Sequence, residues 1–312
     1  MSQHVAIVGA TGFLGRALTR HFTLRGAKVH GYSSTKARAN DDTPLTQFDA
    51  AHDEIHFPEE TKAVFYLAQS PFYREFPSRA EHLIAVNVLG AIKAARAAVE
   101  AGVSFFFYAS TGNVYRPSLQ PLREDHPVRR DNGYALSKVM AEESLALVSA
   151  PMQLVVGRIF GLFGPGQSGM LVPNICNRIR QGQPVQFVPS TQEPADRDGL
   201  RVSLCYVDDA CRCLSGLLDL HSEGVELPST INIAGDEPIS IRQLAEECGR
   251  IIGKPAVIEQ GDGTRTFDLI SDNSRLQELI VSEQTPFSTA LEKTLRSEGS
   301  APDRSRDWSK AG

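Results

Sequence analysis

The sequence predicts an α/β fold class: a doubly wound parallel sheet with a smaller C-terminal α/β lobe. Three observations predict it. Short, continuously apolar, β-rich runs alternate with helical stretches through the first half, the pattern of parallel strands covered on both faces. A glycine-rich turn follows the first of these runs and opens a helix. Beyond Gly161 the alternation breaks into shorter pieces, beginning with a Gly/Pro segment that ends at Gly166, which predicts a lobe built from insertions.

Taken in order, Val5 to Val8 reads as a buried strand, and a helix from about Phe13 to Arg25 is stopped by Gly26. Lys28 to Tyr32 is a second strand, Leu45 to Phe48 a weak third and Ala63 to Leu67 a fourth. A long helix, roughly Arg79 to Ala101, ends at Gly102 and leads into a fifth strand, Ser104 to Tyr108. Gly133 to Ser149 reads as a helix and Gln153 to Ile159 as a sixth strand. In the irregular region the pattern predicts a helix near Val172 to Arg180, strands near Val185 to Val188 and Ser203 to Tyr206, and a helix through Asp208 to Leu220. Thr230 to Ile233 is again strand-like, and Ser240 caps a helix reaching about Ile252. From Arg296 onward the chain is polar with little periodicity and reads as a tail.

Composition bounds the function. The chain has 312 residues, 41% of them apolar, which excludes a mainly disordered protein. Lys and Arg total 32 against 37 Asp and Glu, a net charge of −5, and no basic block suggests a nucleic-acid or polybasic membrane partner. Small molecules are the expected partners. Cys176, Cys205, Cys211, Cys213 and Cys248 form no CxxC pair and lack histidines at zinc spacing, so no metal site is expected. They read as small buried hydrophobes in a reducing compartment. The N-terminus runs directly into a strand without a charged leader, and no membrane-length apolar run is evident, so a cytoplasmic enzyme is expected.

The turn is Gly9-Ala10-Thr11-Gly12-Phe13-Leu14-Gly15. Gly9 permits the tight turn, Gly12 lets backbone approach a pyrophosphate at the helix N-terminus, and Gly15 allows close packing of helix on sheet. Residues 1–160 are therefore expected to bind NAD(P), 161–295 to hold mainly the substrate, with some segments returning to the core, and 296–312 to form the tail. An acidic residue about 20 positions beyond the turn would hold the ribose 2′-hydroxyl. Ser33 stands there instead, and Ser33, Ser34, Lys36 and Arg38 can donate to a 2′-phosphate, which favours NADP over NAD. The plain alternative is a solvated loop. Asp49 can accept from the adenine amino group or simply serve a turn.

Tyr134 and Lys138 lie four apart on one helix face, and Ser110 and Thr111 end the fifth strand, where side chains of a doubly wound sheet face the ligand crevice. A phenol of pKa near 10 must exchange a proton near neutrality. Positive charge from Lys138 and an oxidised nicotinamide favours the phenolate, against the desolvation that opposes it. Thr111 would hydrogen-bond the reacting oxygen.

Together with Leu67-Ala68, Asn87-Val88-Leu89-Gly90, Ser110-Thr111-Gly112-Asn113-Val114-Tyr115, Gly164-Pro165-Gly166, Val207-Asp208-Asp209 and Asn232-Ile233-Ala234-Gly235, these motifs resemble the extended short-chain dehydrogenase/reductase family, in its NAD-dependent epimerase/dehydratase branch. The resemblance spans about residues 4–280. It implies a Rossmann domain, a C-terminal substrate lobe, and a catalytic set of Thr111, Tyr134 and Lys138. It further implies that Lys138 holds the nicotinamide ribose, that Leu67, Ala68 and Gln69 line the cofactor, and that the long helix and the Tyr134 helix form a homodimer interface. The apolar seams of those helices are read equally well as packing on the sheet.

Departures from the family pattern narrow the activity. Dehydratases resemble Thr-Asp-Glu where this chain has Thr111-Gly112-Asn113, and neither Gly112 nor Asn113 titrates, so elimination is not expected. Nucleotide-sugar epimerases resemble Arg-x-Phe-Asn where Arg158-Ile159-Phe160-Gly161 stands, and carry an arginine where Val202 stands, one residue from Arg201. Arg265, three before Asp268, matches a diphosphate-contacting position. The segment Gln69 to Tyr73 reads as a substrate-side wall, whose Phe72 and Tyr73 either stack on a ring or simply close a loop, and the candidate substrate residues are Ser70, Phe72, Tyr73, Asn113 and Arg265, the last with a plain surface arginine as its alternative. The sequence thus points to an NAD(P)-dependent epimerase or oxidoreductase acting on a carbonyl/alcohol carbon of a sugar or nucleotide sugar. The alternatives are an NADPH-dependent ketone reductase of a non-sugar substrate and a cofactor-sensing binding protein without turnover.

Overall fold

Alternate residues of the apolar runs face opposite sides, so each strand needs two cores. A computed structural model, which describes residues 3–35, 43–280 and 283–298, supplies both. β1 (His4–Val8), β2 (Lys28–Ser33), β3 (Leu45–Gln47), β4 (Ala63–Tyr66), β5 (Phe105–Thr111) and β6 (Gln153–Ile159) alternate with α1 (Phe13–Leu24), α2 (Ala80–Ile84), a π turn (Ala85–Leu89), α3 (Gly90–Glu100) and α4 (Gly133–Val148). The later elements are β7 (Leu162–Phe163), α5 (Leu171–Arg180), β8 (Val185–Phe187), β9 (Arg201–Ser203), β10 (Cys205–Tyr206), α6 (Val207–Ser222), β11 (Thr230–Ile233), β12 (Pro238–Ser240), α7 (Ile241–Ile252), β13 (Ile258–Gln260), α8 (Ser274–Leu279) and α9 (Phe287–Glu298).

Seven strands form one parallel sheet in the order β11-β6-β5-β4-β1-β2-β3. The chain runs outward from β1 to β3 and then returns to place β4 on the other side of β1, so a crevice opens above the carboxyl ends of β1 and β4. Val5 and Ile7 of β1 face a core shared with Leu18 and Phe22 of α1 and Leu214 of α6. Ala6 and Val8 face the opposite core, built on α3 and α4. Ala91, Ala94, Ala95 and Ala98 are fully buried there, and their small side chains let α3 lie close to the sheet. The π turn exposes carbonyls that an unbroken α-helix would consume. Tyr66 donates to that of Val86 at 2.6 Å and Tyr108 to that of Asn87 at 3.0 Å.

Ala80–Glu100 is also long and apolar enough, by length and composition, to cross a membrane, with a mean hydropathy of 1.4. The sequence expectation of no such run is corrected on that count. Half of the stretch is buried in this fold.

After β6 the chain both returns to the main sheet, through β11, and makes three two-stranded ribbons: β7 with β10, β9 with β12 and β8 with β13. The single strand expected from Ser203 to Tyr206 is two strands parted at Leu204, because each half pairs with a different partner. Ser240 caps α7 in a capping box with Gln243, and Gly253 ends that helix in the left-handed region. The sequence reading lacked β13, α8 and α9. α9 continues past the expected tail boundary at Arg296, with Ala290, Leu291 and Leu295 buried. All five cysteines are buried, and the Cys176 and Cys248 sulfurs lie 2.7 Å apart.

Candidate active site

The turn between β1 and α1 works through close backbone approach. Gly9 has φ of +90°, and a Cβ there would lie 2.8 Å from the Ala68 nitrogen. A Cβ on Gly15 would lie 2.1 Å from the Gly9 carbonyl oxygen, so only glycine lets α1 start this near the turn. Gly12 is the N-cap and brings no capping side chain, and the first turn of α1 carries no acidic residue. The amides at the helix N-terminus are therefore left for an anion.

This turn forms one side of a cleft of about 1460 Å³ over the carboxyl ends of the central strands. Gly9, Thr11, Gly12, Phe13, Leu14, Gly15, Ser33, Ser34, Asp49, Leu67, Ala68 and Gln69 all line it. At the end of β2 three hydroxyls cluster: Thr11 Oγ1 is 2.5 Å from Ser33 Oγ and 3.0 Å from Thr35 Oγ1. Arg16, which the sequence reading passed over although it directly follows Gly15, lines the cleft and donates to the Thr11 carbonyl at 2.5 Å. Asp49 Oδ1 accepts from the Ala51 amide at 2.9 Å. Lys36 and Arg38 lie outside the described residues.

Asn132 fixes the start of α4 by accepting from the Ala135 amide at 3.0 Å, which places Tyr134 in the first turn and Lys138 one turn on. Thr111, Tyr134 and Lys138 meet in the cleft together with Tyr73 and Asn113. The Tyr134 hydroxyl donates to Gln69 Oε1 at 2.9 Å, and its ring is 5.1 Å from that of Tyr73. Lys138 Nζ donates to the Ala109 carbonyl at 2.7 Å and lies 4.9 Å from the centre of the Tyr108 ring. Thr111 Oγ1 accepts from the Asn113 amide and from its Nδ2, both at 3.2 Å, which leaves the hydroxyl proton for another acceptor. Burial pushes the Tyr134 phenol well above its ordinary value, while the Thr111 hydroxyl works the other way. Burial pushes Lys138 down to about 7, with Glu142 opposing. An amine and a phenol one helical turn apart, both lining the cleft, can hand over and recover a proton at a substrate oxygen.

Buried Asn87 ties this floor together: its Oδ1 accepts from the Ser70 amide at 3.0 Å and its Nδ2 donates to Ser137 Oγ at 3.0 Å. Three expected substrate residues are not brought to the cleft lining. Ser70 is fully buried, and its hydroxyl pairs with His82 Nδ1 at 2.9 Å. Phe72 packs edge-on to the His82 ring under the Arg79 guanidinium, so it closes its own loop. Arg265 is 5% exposed and is taken by Asp196 at 2.8 Å and Asp268 at 3.5 Å. In their place the segments after β6 contribute an aliphatic wall of Leu200, Val202, Leu204 and Leu269. The signal for it was Val202, standing where an arginine was expected. Across the mouth, Tyr73 and Arg74 both reach Met170 Sδ at 3.7 Å.

Known proteins agree with this architecture. The chain is 25% identical to a dTDP-4-dehydro-6-deoxy-D-allose reductase of Streptomyces bikiniensis over 94% of its own length and 95% of that protein. It is 25% identical to a 2-alkyl-3-oxoalkanoate reductase of Stenotrophomonas maltophilia, covering 81% and 77%. The structure of Thermus thermophilus UDP-glucose 4-epimerase in complex with NAD superposes with a TM-score of 0.77 at 20% identity, covering 96% of this chain and all of the other. The family model described as NAD dependent epimerase/dehydratase matches residues 5–234, most of the chain. With its glycine turn and its Tyr134 and Lys138 in one cleft, this chain is an enzyme that belongs to the NAD dependent epimerase/dehydratase family.

Proposed function

We propose that the protein is an NADP(H)-preferring oxidoreductase or epimerase acting at the carbonyl/alcohol carbon of a nucleotide sugar. The observation that carries this is the meeting of Thr111, Tyr134 and Lys138 in the cleft that the glycine turn opens. The close backbone contacts at Gly9 and Gly15 and the bare N-terminus of α1 suit a dinucleotide pyrophosphate. Leu67, Ala68 and Gln69 would flank that cofactor. A bound nicotinamide supplies the hydride chemistry. Tyr134 gives a proton to the substrate oxygen in reduction or takes it in oxidation, Thr111 holds the same oxygen, and Lys138 keeps positive charge beside the phenol and binds the ribose. The hydroxyl trio of Thr11, Ser33 and Thr35, with Arg16 nearby, supports a 2′-phosphate, because no carboxylate among them repels it. The Streptomyces relative's dTDP-sugar substrate supports the sugar class.

A second reading, reduction of a non-sugar ketone, is favoured by the aliphatic wall and by Arg265 being held by two aspartates away from the cleft. The Stenotrophomonas relative's name fits such a substrate. Turnover decides: NADPH oxidation with a dTDP-4-dehydro-6-deoxy sugar supports the first reading, and oxidation with a 2-alkyl-3-oxoalkanoate alone supports the second. Tyr134→Phe should lower either rate by about 10²- to 10⁴-fold while leaving NADPH binding intact; unchanged turnover rejects the assignment of Tyr134. Tighter binding of NADH than of NADPH rejects the cofactor preference. A homodimer is supported by the exposed Leu89, Met140 and Leu147 on the paired helices, and sedimentation tests it. The buried thiols of Cys205, Cys211 and Cys213 support a reducing compartment, the cytoplasm.

A further inference from the structure

One helical turn beyond Lys138, α4 carries Glu142. Its side chain is 9% exposed, as is that of Arg158 from β6, and the two form an ion pair at 2.7 Å between Oε2 and Nη2. Arg158 Nε also lies 3.3 Å from each carboxylate oxygen, so the guanidinium holds the whole group. Ser110 of β5 donates its hydroxyl to Oε1. The clamp is itself anchored. Arg158 Nη1 donates to the Glu124 carbonyl at 3.0 Å, and its guanidinium sits 4.8 Å from the Tyr115 ring centre. The Tyr115 hydroxyl donates to Asn232 Oδ1 on β11 at 2.6 Å. Although burial works against its charge, Arg158 is held charged above its ordinary value by Glu142.

A buried ion pair rarely adds net stability over apolar residues of the same volume, so its place in the fold calls for another role. The place is specific. Ala109, Ser110 and Thr111 are consecutive: the first accepts from Lys138, the second donates to Glu142, and the third faces the cleft. We propose that Glu142, locked by Arg158 and Ser110, is a positioning residue that fixes a counter-charge one helical turn beyond Lys138 and so keeps its ammonium on the Ala109 carbonyl.

Among the described residues, Glu142 acts on Lys138 from its own helix, where Tyr134 stands one turn before; Tyr108 meets it from β5 with Tyr66 of β4 beyond, and Arg158 from β6 acts through Glu142. Burial drives Lys138 towards its neutral form, and Glu142 is the group that opposes it. Arg158 has a second effect. With both carboxylate oxygens occupied, Glu142 cannot swing along the helix to draw the ammonium away from the cleft. The pair thus presents its negative end to the lysine without capturing it.

The role of Lys138 rests on the function proposed above, but the test does not need turnover. Isotope-labelled lysine side chains are titrated by NMR, and the Lys138 signal is identified as the one that Lys138→Met abolishes. In Glu142→Gln, which keeps the shape and can still accept from Ser110, the Lys138 midpoint should fall by at least about one pH unit, a tenfold change in acidity. If that variant does not fold, Glu142→Gln/Arg158→Gln removes both charges together and should move the midpoint in the same direction. A midpoint that stays put or rises in a folded variant overturns the proposal. Where a substrate is turned over, kcat of Glu142→Gln should match wild type below the new midpoint and fall above it. An equal loss at every pH indicates a merely structural role and overturns the proposal as well. If no candidate substrate reacts, the lysine titration still answers the question.

Discussion

Replacing Lys138 by Met should make the protein more stable, and the size of the gain follows from the burial of its ammonium. Lys138 is 2% exposed, and its folded-state value of about 7 compares with 10.5 for a free lysine. At about 1.36 kcal/mol per pH unit, keeping that proton in the folded state costs roughly 5 kcal/mol below pH 7. The direction in pH is set by proton counts. Between about pH 7 and 10.5 the unfolded chain binds the proton and the folded chain does not, so wild-type stability rises across that window, and above it the cost is gone. Met has nearly the volume and flexibility of the lysine stem, so packing changes little. It gives up the 2.7 Å bond to the Ala109 carbonyl, a charged hydrogen bond of about 1.5–3 kcal/mol. The net expectation is a variant about 2–3 kcal/mol more stable than wild type near pH 6, an advantage that shrinks and then reverses towards pH 10. Urea unfolding of both proteins at matched pH, without cofactor, measures it; titrating groups distant from Lys138 contribute equally to both and cancel. A variant that is less stable at pH 6, or a difference that does not change with pH, would refute the reasoning. The gain in stability should come with loss of turnover.

Other substitutions follow from single contacts. Gly15→Ala drives a Cβ into the Gly9 carbonyl and should cost about 3 kcal/mol or more, together with NADPH binding, read by thermal unfolding and fluorescence titration. Arg158→Met strands the Glu142 carboxylate in the core and should cost about 3–5 kcal/mol, while Arg158→Met/Glu142→Leu should recover most of that loss in a denaturant series. Ser240→Ala breaks the capping box of α7 and should cost about 1 kcal/mol without touching the cleft, so cofactor affinity should not move.

The parts of the site that were legible in the sequence are those set by short-range geometry. The spacing of Gly9, Gly12 and Gly15 is a property of one strand and one helix turn, and Tyr134 and Lys138 share a face because four residues make about one turn. Where two distant segments must agree, the sequence was silent or misleading. Arg265 was matched to a diphosphate contact through the family resemblance, yet Asp196, 69 residues earlier, holds it in the interior. Ser70 and Phe72 were assigned to the substrate because they follow a strand carrying cleft residues, but His82 claims both. Glu142 carried no signal, since its meaning depends on Arg158 arriving from a neighbouring strand.

Alternation of apolar runs, glycine placement and helix periodicity by themselves determined the parallel sheet, the dinucleotide turn and the Tyr134 and Lys138 pair. Tertiary structure alone decided which polar groups face the cleft and which neutralise one another behind it, and that Leu200, Val202, Leu204 and Leu269 form a wall of it. The reason is desolvation. A charge removed from water must find its partner wherever the fold brings one, and that partner is selected by distance in space and not by distance along the chain.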